Sequence, residues 1–195
     1  MKTPTPAQLA AAAAAALTLS VAGCATDPTA TDATSSSSSS SSGSSASNDV
    51  EPDDTSLPPW PAPADAPARV AAAGLDLGPM GTAEHYHPTL AITIEGQQIP
   101  VPPNIGVDPN TGAMSAVHTH EGDGTIHIEA DTVGEKFTLG QLFTQWGVAL
   151  TPTRIGGIAA EAGEKVNVTS NGTPVTGNPA DLQLEPDQQI ELTLP

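Results

Sequence analysis

Eight consecutive serines, residues 35–42, limit which part of this chain can fold. They are followed by an acidic, proline-rich stretch, and neither segment has enough apolar surface to offset the entropy cost of ordering the chain. We therefore interpret residues 24–80 as a disordered Ser/Pro-rich acidic tether, with a reach of roughly 40 Å or more as a flexible coil. Trp60 is the exception within it, and the sequence is compatible with either a solvated or a docked tryptophan. The folded domain is predicted to span residues 81–195.

The amino end has the order of features of a secretory signal. Lys2 is the only charged side chain before Asp27, and the apolar run of residues 9–23 lies between them. This run is too short to span a bilayer as a permanent helix. It ends in "VAGC", which resembles the lipobox of bacterial lipoproteins. The resemblance implies that residues 1–23 are a signal peptide. It also implies that Cys24 is lipidated and anchors the protein to the extracytoplasmic face of the bacterial cell membrane.

The charge and cysteine content exclude some classes of partner and chemistry. Acidic residues outnumber basic ones 22 to 5, and the formal net charge is -17. Such a chain repels nucleic acid, so a cation or a basic surface is the partner that this charge favours. Because Cys24 is the only cysteine, no intramolecular disulfide and no thiol chemistry are predicted.

One helix and several strands are predicted within 81–195. "TLAITIE" alternates apolar and polar residues as a half-buried strand does. "EGQQ" is predicted to be a turn that leads from this strand to a short edge strand at "IPVP". "FTLGQLFTQWG" predicts a helix, with Thr138 as its N-cap, Gln141 completing a capping box, and Gly147 at its end. The apolar side chains of one helix face are predicted to lie in the core: Leu139, Leu142, Phe143 and Trp146.

The carboxyl third predicts a second hairpin and a last strand. "KVNVTSNGTPVT" has Asn171-Gly172 at its turn, and "DLQLEPDQQIELTLP" alternates apolar residues. The phrase "VTSNGTPV…LQLEPDQQIEL" resembles the ending of sulfur-carrier-like β-grasp, or ubiquitin-like, proteins, over residues 115–195. The resemblance implies an α+β, β-grasp-like domain with one main helix in a mixed sheet, preceded by the "TLAITIE" hairpin as an extension. The chain ends at Pro195 without the Gly-Gly tail of those carriers, so their conjugation chemistry is not expected here.

The histidines are concentrated in two places, "HYH" at 85–87 and "HTHEGDGTIHIE" at 118–129. If "EGDG" is the loop of a hairpin, His118 faces His127, His120 faces Thr125, and the three histidines share one side of the hairpin. The apolar and hydroxyl side chains that take the other side are Val117, Thr119, Ile126 and Ile128. The hairpin is expected to supply the first β-grasp hairpin, with these residues turned toward the helix. The order "HxH…HTH…IHIE…FTLGQLF" also resembles an uncharacterised family of extracytoplasmic bacterial domains.

These histidines predict a transition-metal site. Opposed strand residues have Cβ atoms about 4.5–5.5 Å apart, so the imidazoles of His118 and His127 can converge on one ion. His120 is available on the same face, and His85 and His87 are further candidate ligands if "HYH" folds over it. Zinc and copper both suit imidazole nitrogen, and Met80 and Met114 near the two histidine pairs add a slight preference for copper.

Two other functions remain open. A polar strand face rich in histidine can instead belong to a lipid-tethered module that binds a protein or a glycan without metal. An enzyme is the weaker interpretation, because the sequence has no phosphate-binding loop, nucleophile elbow or HExxH. Glu121 or Glu129 could act as a base toward a zinc-bound water, although an open sheet face excludes little solvent.

Overall fold

The computed structural model describes residues 56–195, which form an α+β fold. The predicted signal peptide, Cys24, the serine run and the predicted tether up to residue 55 lie outside the described residues. Within them the helices are α1 (Ala66–Ala72), α2 (Leu139–Trp146) and a short 3-10 helix (Pro179–Asp181). The strands are β1 (Glu84–Tyr86), β2 (Thr89–Ile94), β3 (Gln97–Ile99), β4 (Val117–His118), β5 (His127–Ala130), β6 (Leu150–Thr151), β7 (Arg154–Ile155), β8 (Ile158–Ala159), β9 (Asn167–Ser170), β10 (Thr173–Val175) and β11 (Gln189–Leu194).

The strands form three sheets. The main sheet has the order β10-β9-β11-β2-β3, in which β11 runs parallel to β2 and the other pairs are antiparallel. The second sheet, called the histidine sheet below, has the order β1-β5-β4 and is antiparallel throughout. A third small sheet joins β6, β7 and β8.

Helix α2 confirms the prediction made from its caps and its apolar spacing. The Thr138 hydroxyl accepts a hydrogen bond from the Gln141 backbone N–H, and the Gln141 side chain accepts one from the Thr138 N–H. Gly147 ends the helix at φ 77°, in the left-handed region that glycine adopts without steric cost. The predicted core face is buried, with Leu139, Leu142, Phe143 and Trp146 each no more than 2% exposed.

The two hairpins on either side of α2 have tight two-residue turns. In both turns the two residues have positive φ, Glu95-Gly96 in the first and Asn171-Gly172 in the second, as a type I′ turn requires. The second hairpin confirms the Asn-Gly prediction. In the first, the returning strand begins at Gln97 and ends before Pro100, so it lies earlier than the predicted "IPVP". The turn takes only two residues because a glutamate adopts the left-handed conformation beside the glycine.

The roles predicted for the first two hairpins are exchanged. The hairpin β2–β3, expected to be an extension, belongs to the main sheet, where β2 lies next to the last strand. The histidine hairpin β4–β5, expected in that position, instead forms its own sheet with β1. Both hairpins contribute to one core, in which the apolar face of β2 and β11 and the apolar face of the histidine sheet are buried.

Part of the segment assigned to the tether packs on the domain. Trp60 is 3% exposed, and its ring lies edge-on to that of Trp146 with centroids 5.8 Å apart. The Trp146 indole N–H donates to the Trp60 carbonyl oxygen at 3.3 Å, and α1 buries Ala66 and Val70. The ordered chain therefore begins before Gly81, because the few apolar residues of a proline-rich stretch find partners on α2. Within residues 56–195 no helix is long and apolar enough to cross a membrane.

Candidate metal centre

The register predicted for the histidine hairpin is confirmed where β4 and β5 pair. His118 lies opposite His127, and Val117 lies opposite Ile128. The alternation also places the aliphatic residues as predicted, because the side chains of Val117, Ile126 and Ile128 are buried in the core. The histidines consequently lie on the other face of this sheet.

The two arms of the histidine hairpin stop pairing earlier than the four-residue loop "EGDG" predicts, because their last pair is His118 with His127. After His118, the Thr119 N–H donates a hydrogen bond to the Ile105 carbonyl oxygen, and the Thr119 hydroxyl donates one to the Pro102 carbonyl oxygen. Thr125 forms an isolated bridge with Thr89 of the main sheet. His120 is therefore not paired with Thr125, as the hairpin register predicted, since both arms bond to other parts of the chain. Its imidazole nevertheless remains beside that of His118.

Strand β1 brings the other two histidines to the same face. It pairs with β5 on the side away from β4, and His85 lies opposite Glu129. His127 and Glu129 are two residues apart on β5 and so point to one face, which His85 then shares. His87 follows β1, and its ring centroid is 4.7 Å from that of His127. All five histidines of the chain thus gather around β5, the central strand.

The five histidines form two overlapping groups of three. We call His118, His120 and His127 the inner triad, and His85, His87 and His127 the outer triad. In each triad one ring nitrogen from every histidine lies within 4.8 Å of the other two. His127 belongs to both groups, and each triad could hold a metal ion.

The inner triad contains the most constrained imidazole of the site. His118 is 0% exposed, and its Nδ1 lies 2.8 Å from the Ser115 carbonyl oxygen. A carbonyl only accepts hydrogen bonds, so Nδ1 carries the hydrogen of the neutral ring and Nε2 keeps its lone pair. Burial lowers the pKa of His118 to about 4, because the desolvated ring disfavours the charged form. The ring is thereby fixed in orientation and tautomer, as a metal-ligating histidine requires.

The imidazole of His120 lies beside the Nε2 lone pair of His118. His120 Nε2 lies 3.1 Å from His118 Nε2. Two nitrogens bound to a tetrahedral zinc ion at roughly 2.0–2.1 Å are themselves about 3.3 Å apart, so the observed separation is close to that of two ligands of one ion. His127 completes the group, with its ring stacked on that of His118 at a centroid distance of 5.4 Å and an interplanar angle of 14°.

Two carboxylates lie at the margin of the histidine face. Glu121 Oε2 is 3.1 Å from His127 Nε2, and Glu129 Oε1 is 3.4 Å from His85 Nε2. Carboxylates in these positions orient imidazole rings. Sequence reasoning had considered both glutamates only as possible bases. The alternation of β5 is the signal that places Glu129 on the histidine face.

The outer triad is more open to solvent. His85 and His87 are exposed, and their ring centroids are 4.6 Å apart. The pKa of His87 is lowered, first by desolvation and then by the neighbouring imidazoles of His127 and His85. A neutral ring is the form that coordinates a metal, so this crowding favours the ligating state.

The methionines that suggested copper line a different part of the surface. Met80 and Met114 both border a cavity of about 340 Å³, to which Glu129 also contributes. Met114 pairs through its backbone with Gly78 and Val107. The two methionines are thus close to one another, and Glu129 connects their cavity to the outer triad.

Comparisons with protein-family models, with curated proteins and with solved structures found no match to this chain. The geometry of the histidine face is therefore the basis for a functional proposal.

Proposed function

We propose that this domain binds a transition-metal ion, copper or zinc, through the histidines of the inner triad. The observation that carries the proposal is the state of His118. It is a fully buried imidazole held by a backbone carbonyl, and its Nε2 lies 3.1 Å from a second imidazole nitrogen. His127 is the third ligand, and with His85 and His87 it also forms the separate outer triad.

A solvated polar face does not require such an arrangement. Burying a ring nitrogen away from water is costly unless it gains a partner, and the partners of buried His118 are the Ser115 carbonyl oxygen and the His120 imidazole. Because its pKa is lowered, the His118 ring remains neutral at any pH near 7, and its Nε2 lone pair, which faces His120 Nε2, is the one that would bind the ion. A metal ion uses both properties.

The choice between copper and zinc stays open in this proposal. Three imidazoles suit both ions, and a three-histidine site leaves a fourth position for water or a carboxylate. The charge of -17 assists either ion, because a negative field raises the local concentration of cations. Carboxylates alone would bind these ions with less defined geometry, so specificity is assigned to the imidazoles.

Calorimetric titration with Cu(II) and with Zn(II) tests the proposal. Wild type is compared with His118→Ala and His127→Ala, and Gln98→Ala, on the main sheet, serves as the matched control. Because even outer-shell partners of a metal site contribute 10- to 100-fold in affinity, each histidine variant is expected to lose about 100-fold or more. Circular dichroism verifies that all four proteins are folded. Equal affinity in all of them would refute metal binding and favour the protein- or glycan-binding module.

We also propose that the fold is of the β-grasp type. The support is the succession of hairpin β2–β3, helix α2, hairpin β9–β10 and last strand β11. The last strand lies at the centre of the main sheet, parallel to β2 and antiparallel to β9. In this proposal the histidine sheet is an insertion between the first hairpin and α2, completed by β1.

The location of the protein is a further proposal, which rests on the sequence "VAGC" alone. A lipid on Cys24 would anchor the domain to the extracytoplasmic face of the membrane through the intervening residues. Cys24→Ser is then expected to move the protein from the membrane fraction to a soluble or unprocessed form. An unchanged membrane fraction in a cell-fractionation experiment would refute the lipid anchor.

A further inference from the structure

The two triads differ in exposure although they share His127. In the inner triad His118 is buried and His120 is exposed, whereas in the outer triad both His85 and His87 are exposed. An ion in the outer triad would be accessible to solvent, and an ion in the inner triad would lie against the buried ring. The histidine face therefore offers one ion two positions of different accessibility.

The strand order keeps the two positions apart. His118 and His120 belong to the β4 side of the central strand, and His85 and His87 belong to the β1 side. Among the described residues, the sets of three histidine nitrogens within 4.8 Å of one another are the two triads, and neither set combines histidines from both sides of β5. Nitrogens bound to one ion at roughly 2.0–2.1 Å are at most about 4.2 Å apart. An ion bound to His127 therefore takes its other ligands from one side or the other.

The chemistry of His127 makes the two positions exclusive. A neutral imidazole has one nitrogen with a free lone pair, while the other carries a hydrogen. His127 can consequently donate to one ion at a time. Two divalent ions at neighbouring triads would also repel each other strongly at this separation.

A groove leads from solvent to the outer triad. It has a volume of about 410 Å³ and is lined by His85 and His87 together with Tyr86, Pro186 and the carboxylates of Glu84 and Asp187. A second groove, of about 460 Å³, also reaches His87 and includes Asp123, Asp187 and Glu191. Acidic side chains at the approach to a site increase the rate at which cations arrive.

We propose that the outer triad is the loading position for the inner one. An ion first binds His85, His87 and His127, and then exchanges His85 and His87 for His118 and His120 while His127 stays bound. Stepwise exchange of ligands avoids releasing the ion to water between the two positions. This inference rests on the proposed function, and it adds the route by which the ion reaches the buried ligand.

Stopped-flow binding of Cu(II) to the full chain tests the route. Wild type is compared with His85→Ala/His87→Ala and with the control Thr82→Ala/Thr89→Ala, which changes exposed residues flanking the same segment. A second variant, His85→Asn/His87→Asn, keeps polar side chains at both positions in case the alanines disturb β1. Equilibrium affinity and stoichiometry are measured in parallel by competition with a chelator of known affinity.

Loss of a loading position changes both rates and leaves the equilibrium unchanged. We expect one Cu(II) per chain and the same affinity in all variants. Association and dissociation should both be slowed about tenfold or more in the two histidine variants, the size of effect that guided approach provides. Rates equal to those of wild type would overturn the route, as would two ions per wild-type chain. A lower affinity at an unchanged association rate would instead make His85 and His87 ligands of the final complex. If wild type binds no Cu(II), the proposed function itself fails.

Discussion

The main sheet and the histidine sheet each bury one face in the same core. They differ in the side chains that lie on the other face. On the open side of β2 and β11 the main sheet carries Thr, Gln and Glu side chains. On the open side of β4, β5 and β1 the histidine sheet carries imidazoles that contact one another. Packing dictates the buried face in both sheets, whereas nothing in the core constrains the open face. The two sheets therefore differ in side chains that the core does not require.

The largest contrast is expected between neighbouring residues of β5. Ile128→Ala removes a fully buried side chain and should lower the free energy of unfolding by about 2–5 kcal/mol, as should Leu192→Ala in the main sheet. His127→Ala should lower it by no more than about 1 kcal/mol in the presence of a chelator, because the core is left intact. Urea denaturation of the three variants measures the effect.

The two β5 variants are expected to rank in the opposite order when the loss of metal affinity is measured instead of the loss of stability. His127→Ala is expected to lose binding, while Ile128→Ala retains it under conditions where it is folded. If Ile128→Ala and His127→Ala had equal effects on stability, the division of β5 into a core face and a site face would be wrong.

Acid is expected to destabilise the domain through the histidine sheet. The pKa of folded His118 is about 4, whereas the ordinary value is 6.5, so on acidification the unfolded chain takes up a proton before the folded one does. The contribution of His118 to stability is therefore fully present above pH 6.5 and is lost as the pH falls toward 4. Over that interval the free energy of unfolding should decrease by about 3 kcal/mol from this residue.

A pH series of urea denaturation compares wild type with His118→Asn. Asparagine keeps a side-chain N–H for the Ser115 carbonyl but does not titrate. The variant should lose the part of the pH dependence that lies between 6.5 and 4. If its slope in this interval matched that of wild type, His118 would not be the buried neutral group that the structure indicates.

A smaller effect is expected where the two sheets meet. Gly124 has φ 88°, its carbonyl accepts from the Leu90 N–H at 2.9 Å, and a Cβ at this position would overlap the Leu90 carbonyl oxygen. Gly124→Ala should therefore cost at least about 1–2 kcal/mol. Gly122→Ala, two residues earlier in the same loop, meets no atom closer than 3.8 Å and should change stability by less than about 0.5 kcal/mol. Thermal unfolding of the pair gives the comparison, and equal midpoints would mean that this loop does not join the sheets.

Local patterns predicted much of this structure. The capping box and apolar spacing of α2 depend on residues within one helix, and the turn at Asn171-Gly172 depends on two residues. The facing of His118 and His127 followed from alternation on either side of a short loop. Each of these features is determined by neighbours in the sequence, so the sequence alone was sufficient.

Long-range pairing is where the sequence was insufficient. The place of β1 beside β5 depends on contacts between residues more than 40 positions apart, so His85 and His87 could not be oriented in advance. The exchange of the two hairpins has the same origin, because either hairpin has the alternation that a sheet requires. The docking of Trp60 depended on a surface of α2 that composition does not reveal.

The metal content of the full chain, purified without a histidine tag, tests the central claim most directly. Wild type and His118→Ala are exposed to Cu(II) or Zn(II), freed of unbound ion by gel filtration, and analysed by plasma mass spectrometry. We predict roughly one ion per wild-type chain and much less than one in His118→Ala, because a three-histidine site holds a single ion and loses it with its buried ligand. Wild type that retains no ion, or retains as much as His118→Ala does, would contradict this prediction.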